Sequence, residues 1–203
     1  MEPLTPAQGL ALCRFARASI DAALGGPPPE SALGDWAQQP GACFVTLHWA
    51  TAAAAAPDSG ESDGEGELQG CIGSLEAHRG LAADVADNAV AAALRDPRGR
   101  KLQRADLARL DVEVSVLSPL ARVPAASEAE AVAALRPHID GVVLRGGGRR
   151  GTFLPQVWES FHDPAEFLLQ LKRKAGLPLR GWEPSYELFR YTVQKWQSRA
   201  PKS

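Results

Sequence analysis

The stretch Leu68-Gln69-Gly70-Cys71-Ile72-Gly73 places a thiol in an extended segment with a glycine beside it and another two residues further on. Glycine weakens a strand, so it marks a bulge or the close approach of another group. Side chains of a strand alternate between two faces. The core face would carry Leu68, Gly70 and Ile72, and the outer face would carry Gln69, Cys71 and Gly73. Cys71 would then lie over a surface that Gly73 leaves bare. The alternative is a packing role, because unpaired cysteine is commonly buried.

The residues before the hexapeptide predict its partner strand. Residues 42–48 include Phe44 and Val45, which are typical of strands. Residues 52–66 are rich in Ala and then in Ser, Gly, Asp and Glu, a composition that predicts a mobile low-complexity loop. Two strands joined by this loop would form a hairpin with Cys71 on its second arm.

Further along the chain, helices and strands follow one another without regular strand–helix–strand alternation. Capping residues and apolar periodicity predict helices over residues 5–24, 81–94, 127–135 and 163–175. Alternating or β-branched runs predict strands over residues 112–116, 139–145, 151–154 and 186–196. We therefore expect an α+β fold with a mainly antiparallel sheet and flanking helices.

Length and composition argue against several classes of protein. The 203 residues suit one domain with its own core, and the net charge of −2 gives no strong field for nucleic acid or an anionic membrane. No apolar run approaches the ~20 residues of a membrane span, and no signal peptide is visible. Three cysteines cannot form a closed disulfide framework. We expect a cytoplasmic protein that binds neither membranes nor nucleic acid.

Histidines are the candidate partners of the Cys71 thiol. The four in the chain show no metal-ligand spacing such as H-x-x-x-H, and we expect neither a metal nor a cofactor. His48 lies on the strand expected to pair with that of Cys71, and His78 follows the Cys71 strand. Either could act as a base beside the thiol, as in other thiol enzymes. Spacing alone leaves both possibilities open.

Three further features have plain structural interpretations. The glycine run at residues 146–151 precedes an extended segment, which argues against a dinucleotide fingerprint and favours a hairpin tip with Arg145 beside it. The triplet Lys172-Arg173-Lys174 would complement the dipole at a helix C-terminus. Asp96-Pro97-Arg98 closes a helix, from which Arg98 could reach a carboxylate or a carbonyl group.

The hexapeptide resembles the L-R-G-C-I-G motif of the AMMECR domain family. Other matching stretches are Asp96-Pro97-Arg98, V-S-V-L-S at residues 114–118, T-F-L-P-Q-V-W at residues 152–158, K-A-G at residues 174–176 and the strand at 186–196. The resemblance covers nearly the whole chain. It implies a single domain over residues 1–203, with a compact α+β fold of two lobes and a groove near the hexapeptide. The binding residues we expect around Cys71 are Gln69, Gly70, Ile72, Gly73, Arg98 and Arg145.

The resemblance implies partners but no settled activity. In prokaryotes the usual company of this family is a Memo-like protein and a radical SAM enzyme, which points to a modification pathway by association only. The family's arginine is Gln69 here. An arginine at that position would favour the thiolate form of Cys71. Either the thiolate is not needed, or another cation supplies the field, the candidates being Arg79, Arg98 and Arg145.

Two hypotheses of different class follow. In the first, Cys71 is a reactive thiol of an enzyme or enzyme subunit in the Memo- and radical-SAM-linked pathway, with His48 or His78 as base. In the second, the protein is a non-catalytic binding or scaffold module. The face that carries Cys71 and Gly73 would then dock a protein, a small ligand or RNA. The reactive thiol is the hypothesis we prefer.

Overall fold

The computed structural model describes residues 3–29, 33–50 and 66–200. Within these ranges four helices and eight strands follow one another in chain order: α1 (Pro6–Ala23), β1 (Ala42–Trp49), β2 (Leu68–Gly73), α2 (Leu81–Leu94), β3 (Leu110–Leu117), β4 (Ala121–Val123), α3 (Glu128–Ala134), β5 (Gly141–Gly146), β6 (Arg149–Phe153), α4 (Pro164–Ala175), β7 (Glu187–Tyr191) and β8 (Val193–Ser198). Short 3₁₀ turns cover Asp35–Gln38, Arg104–Arg109 and Pro155–Glu159.

The chain divides into two compact units, and each has one four-stranded sheet. The first unit runs up to Leu117 and resumes at Gln194, and the second is Ser118–Val193. The sheet of the first unit has the order β2-β1-β3-β8, and that of the second has the order β4-β7-β5-β6. The registers given by the structure are antiparallel in both sheets. The predicted α+β class with antiparallel pairing and flanking helices is therefore confirmed.

The core of the first unit lies between two helices and one face of its sheet. The side chain of Thr5 accepts from the backbone N–H of Gln8, whose own side chain accepts from the Thr5 N–H, and this capping box starts α1. α1 and α2 pack against each other, α2 against β1 and α1 against β3. Cys13 is fully buried among these residues, as its place in the apolar pattern predicts.

The predicted hairpin that carries Cys71 is present as β1 and β2. Thr46 lies opposite Cys71 and Leu47 opposite Gly70, after which the register shifts and His48 lies opposite Leu68. The shift leaves Gln69 as the extra residue of a β-bulge, which disrupts strict alternation. The predicted mobile loop falls almost entirely on residues 51–65, which lie outside the described part of the chain.

The core of the second unit lies between its sheet and α4, with α3 packed on α4. Trp158 stacks on Phe167 with ring centroids 3.7 Å apart, and both side chains are fully buried. β5 and β6 are joined at Gly147 and Gly148, whose φ angles of 53° and 72° suit a tight turn that glycine adopts without strain. The predicted hairpin at the glycine run is therefore confirmed.

One prediction in the C-terminal third is wrong, and another needs an addition. The stretch 186–196 is two strands, because the chain leaves the second sheet after Tyr191 and enters the first sheet with β8. Lys172 is fully buried, with its Nζ 2.9 Å from Glu128 Oε1 and 2.7 Å from the carbonyl oxygen of Gly181. The triplet lies in the last turn of α4, as predicted, and the charge of Lys172 has specific buried partners in addition.

A membrane-crossing helix would need a longer apolar stretch than any helix in the described residues provides.

Candidate thiol site

Cys71 lies near the middle of β2, with its side chain on the face of the sheet away from the core. Its partner across the hairpin is Thr46, whose hydroxyl donates a hydrogen bond to the Cys71 Sγ over 3.2 Å. Cys71 is half-buried, unlike the fully buried Cys13 and Cys43. The thiol is therefore positioned by a neighbour, in a residue that is partly exposed.

The turn after α2 holds the backbone of Cys71 from the other side. β2 is an edge strand, so the groups of Cys71 that point away from β1 need partners. The Cys71 N–H donates to Asp96 Oδ2 at 2.8 Å, and the Cys71 carbonyl accepts from Arg98 Nη2 at 3.2 Å. Asp96 and Arg98 together occupy this position of the strand edge, as a neighbouring strand would.

Asp96 and Arg98 are themselves joined by a two-point ion pair. Arg98 Nε donates to Asp96 Oδ1 at 3.0 Å, and Nη2 donates to Oδ2 at 2.6 Å. These hydrogen bonds hold the pKa of the Asp96 carboxyl well below its usual range, and the backbone N–H groups of Cys71 and Arg98 act in the same direction against the effect of burial. The expected reach of Arg98 to a carboxylate or a carbonyl is confirmed, since it contacts both.

Gln69 does not share a face with Cys71, and this prediction is wrong because of the bulge. Its side chain is fully buried. The Gln69 amide donates to the carbonyl of Arg100 at 2.8 Å, and its oxygen accepts from the indole N–H of Trp49 at 3.1 Å. Gln69 thus ties β2 to the end of β1 and to the segment after Arg98, and it does not line the thiol.

The glycines of the hexapeptide make room for the protein's own atoms. An added Cβ on Gly70 would overlap the carbonyl oxygen of Ala92 in α2. One on Gly73 would overlap the ring of Phe44. The prediction that Gly73 leaves a bare surface is therefore wrong, because the Phe44 ring lies over it. Ile72 packs against the core of the first unit, as predicted.

The structure places the two candidate histidines differently. His48 is 9 % exposed and lies on β1 two residues beyond Thr46, on the same face, with Asp111 directly opposite it on β3. Residues two apart on paired strands are within reach of long side chains. His78 is exposed in the loop after β2, and its Nδ1 lies 3.1 Å from the carbonyl oxygen of Glu76. His48 therefore shares a sheet face with Cys71, whereas His78 lies outside the paired strands.

The other two candidate cations, Arg79 and Arg145, contact other side chains. Arg145 is on β5 of the second unit, with its guanidinium 4.8 Å from the centre of the Phe189 ring. Arg79 pairs with Asp84 at 2.9 Å and also with Asp87. Arg98, the third proposed cation, donates a hydrogen bond to the carbonyl oxygen of Cys71.

A buried polar cluster fixes the C-terminal end of β2. The Asp84 carboxylate of α2 accepts from the Cys43 backbone at 2.9 Å, from the Ser74 hydroxyl at 2.7 Å and from the Asn88 amide at 3.0 Å. Burial, reinforced by the negative charge of Asp84, raises the pKa of the Cys43 thiol well above its ordinary value. Burial also raises the pKa of Cys13, to about 11. Both thiols are therefore protonated near neutral pH.

Two residues of the site were not found from the sequence, Thr46 and Asp96. Thr46 depends on the register of the hairpin, which the sequence alone did not fix. In the sequence, Asp96 stands out only as part of the turn that closes a helix. Within residues 3–29, 33–50 and 66–200, no group of three His, Cys, Asp or Glu side chains could hold a metal ion.

Comparison with known proteins assigns the chain to a family. Residues 13–196 match the family described as AMMECR1. The chain belongs to the AMMECR1 family. A Thermotoga maritima protein is 34 % identical over 171 residues, covering 84 % of this chain and 85 % of that protein. A Methanothermobacter thermautotrophicus protein is 32 % identical over 198 residues and 95 % of each chain.

A solved structure also resembles this AMMECR1 chain. The crystal structure of an uncharacterised protein from Pyrococcus horikoshii superposes with a TM-score of 0.75 and 26 % sequence identity, covering 98 % of this chain and 95 % of that one. The resemblance in sequence and the fold thus agree, and the predicted family membership is confirmed. The names of these relatives assign no activity.

Proposed function

We propose that this AMMECR1 protein uses Cys71 as a reactive thiol. The observation that carries the proposal is a hydrogen bond to the Sγ of a half-buried cysteine whose backbone is held by neighbouring side chains. Thr46 donates to the sulfur, Asp96 binds the N–H of Cys71 and Arg98 binds its carbonyl. The backbone bonds would serve any residue of this edge strand, but a cysteine that served only packing would need no hydroxyl donor to its sulfur on the face away from the core.

The arrangement suits nucleophilic attack by sulfur. The hydroxyl of Thr46 donates to Sγ and so holds the sulfur in one orientation on the outer face of β2. His48 is the proposed acceptor of the thiol proton, with Asp111 opposite it as the group that would orient the ring. In the proposed step an S–C bond forms, the bond from carbon to the leaving group breaks, and the leaving group departs with the electron pair.

Alkylation of the three cysteines in the native protein tests the proposal. Iodoacetamide labelling followed by mass spectrometry should show Cys71 modified rapidly near neutral pH. Cys13 and Cys43 are internal controls, because both are buried and their pKa values are raised. They should react only after unfolding in urea. If Cys71 is labelled as slowly as Cys13 in the native protein, Cys71 is a packing residue and the proposal fails.

The assignment of His48 as base needs its own comparison. His48→Gln should slow labelling of Cys71 and change the dependence of the rate on pH, whereas His78→Gln should leave both unchanged because His78 is exposed in a loop. An equal effect of the two substitutions, or no effect of either, would contradict the assignment. Circular dichroism of each variant shows that the fold is retained.

The alternative function is a binding module, and the expected bare surface at Gly73 no longer supports it. Because Gly73 accommodates the Phe44 ring, a large residue there would disturb the protein itself as well as any docked partner. A Memo-like protein and a radical SAM enzyme remain the proposed partners, and membership of the AMMECR1 family is what supports them. Co-purification of either protein with wild-type chain but not with Cys71→Ser would link the partner to the thiol.

A further inference from the structure

The guanidinium of Arg98 is held rigidly while part of it faces solvent. Nε and Nη2 donate to the Asp96 carboxylate, and Nη2 also donates to the Cys71 carbonyl. Within the part of the chain that the structure describes, the hydrogen bonds of Arg98 leave its Nη1 unused. A guanidinium carries five N–H donors, so the two on Nη1 are available. The side chain of Arg98 is 57 % exposed.

This arrangement differs from that of a free surface arginine. A surface arginine loses side-chain entropy when it binds an anion, and this loss cancels much of the gain. Asp96 has already fixed Arg98, so little further freedom is lost on binding. Arg98 also keeps its positive charge, because the hydrogen bonds to Asp96 raise the pKa of Arg98 above its ordinary value. Guanidinium groups are well suited to carboxylate and phosphate ligands.

The guanidinium of Arg98 lies beside the backbone of the residue that carries the thiol. Arg98 Nη2 lies 3.2 Å from the carbonyl oxygen of Cys71, and Cys71 is half-buried. We propose that Arg98 binds the carboxylate or phosphate group of an anionic substrate and so positions its reactive carbon beside the Cys71 thiol. This inference rests on the proposed thiol function and names the chemical class of its substrate.

Two alkylating reagents of nearly equal size test the inference. Iodoacetate and iodoacetamide both transfer a CH₂ group to sulfur with loss of iodide, but only iodoacetate carries a carboxylate. We take the ratio of their rates at Cys71 in buffer of physiological ionic strength and compare it with the ratio for glutathione. The wild-type ratio should exceed the glutathione ratio about fivefold, as expected for one favourable charge contact. Arg98→Gln should return it to the glutathione value.

Matched variants separate a specific site from general electrostatics. Arg95→Gln removes the same charge from an exposed side chain three residues away, and it should leave the ratio unchanged. Arg98→Lys keeps the charge without the planar fork and should give an intermediate ratio, which also covers the case in which Arg98→Gln unfolds. Protection of Cys71 by inorganic phosphate but not by acetate would assign the site to phosphate compounds, and the reverse would assign it to carboxylates.

The outcomes distinguish this inference from the proposed function. Slow labelling of Cys71 by both reagents would overturn the thiol function and the inference with it. Fast labelling by iodoacetamide, with a wild-type ratio equal to that of glutathione, would overturn the role of Arg98 and leave the thiol function standing. A ratio that falls equally in Arg95→Gln and Arg98→Gln would also overturn the role of Arg98.

Discussion

The carbonyl oxygen of Ala92 in α2 occupies the place that a side chain at Gly70 would need. Ala92 lies in the last turn of α2, so its backbone oxygen can move aside only if that turn moves with it. The glycine before Cys71 is thus required by the contact between β2 and α2, and any side chain there would push the thiol strand away from the helix.

Gly70→Ala should therefore destabilise the protein by about 2–3 kcal/mol, in the range typical of overpacking in a core. The measurement is the midpoint of urea unfolding. An equal dependence of the free energy of unfolding on urea concentration in both proteins shows that the midpoints can be compared. Gly34→Ala is the control, because its added Cβ meets only the edge of the Trp36 ring at 3.1 Å. Equal stability of the Gly70 variant and wild type would show that β2 does not lie against α2 as described.

Asp96→Asn should lower the free energy of unfolding near neutral pH by about 1–2 kcal/mol, because the buried side chain at position 96 loses its ion pair with Arg98. The pKa of Asp96 is depressed in the folded state, so its contribution is present above the unfolded pKa of about 3.9. That contribution is lost as the pH falls toward the folded pKa. The free energy of unfolding is measured in urea at about pH 7 and about pH 3, and the difference between wild type and variant should be smaller at the lower pH.

The control for this pH dependence is Asp87→Asn. Asp87 also pairs with an arginine, but its side chain is 62 % exposed, and the loss of such a pair changes stability little. If the difference in free energy of unfolding between wild type and Asp96→Asn is the same at both pH values, the ion pair is not its cause.

Thr46→Val should slow alkylation of Cys71 about threefold or more at a fixed pH, since the hydrogen bond to Sγ is lost without a change of shape. Thr46→Ser retains the hydroxyl and should label at nearly the wild-type rate. Ser115→Ala changes a hydroxyl on the same face of the sheet, two positions away in register, and should have no effect. Iodoacetamide kinetics on the four proteins provide the comparison.

Lys172→Met should cost about 3 kcal/mol of stability, because Glu128 and the Gly181 carbonyl lose the buried ammonium between them. Arg173→Met, next in the chain, removes an exposed charge and should change the unfolding midpoint little. The double variant Lys172→Met with Glu128→Gln should recover part of the loss. Similar midpoints for the Lys172 and Arg173 variants would contradict the buried ion pair.

These cases show how far the sequence leads. Capping residues and periodicity place α1 and α2 correctly because local contacts determine them. The sequence also predicts the hairpin, since its two strand patterns flank one loop. It does not place the bulge at Gln69, because the neighbouring glycine indicates either a bulge or the close approach of another group and does not say which residue is the extra one.

The same limit applies to charge and to the site. Lys172, Arg173 and Lys174 look alike in sequence, and only the helix face decides which of them is buried. Cys71 and Arg98 were candidates from their motifs, but the bond between them depends on contacts across 27 positions of the chain. Pairings of that kind depend on the tertiary fold.

The division of the stretch 186–196 between two sheets has a consequence for synthesis on the ribosome. β3 is made early, but β8, its neighbour in the first sheet, emerges only after Ser118–Val193 has been translated. At ~5–20 residues per second, this interval lasts about 4–15 s. During that time one side of β3 has no partner strand, and an open strand edge invites association with other chains. The nascent protein is therefore most vulnerable to aggregation before its last strand leaves the exit tunnel.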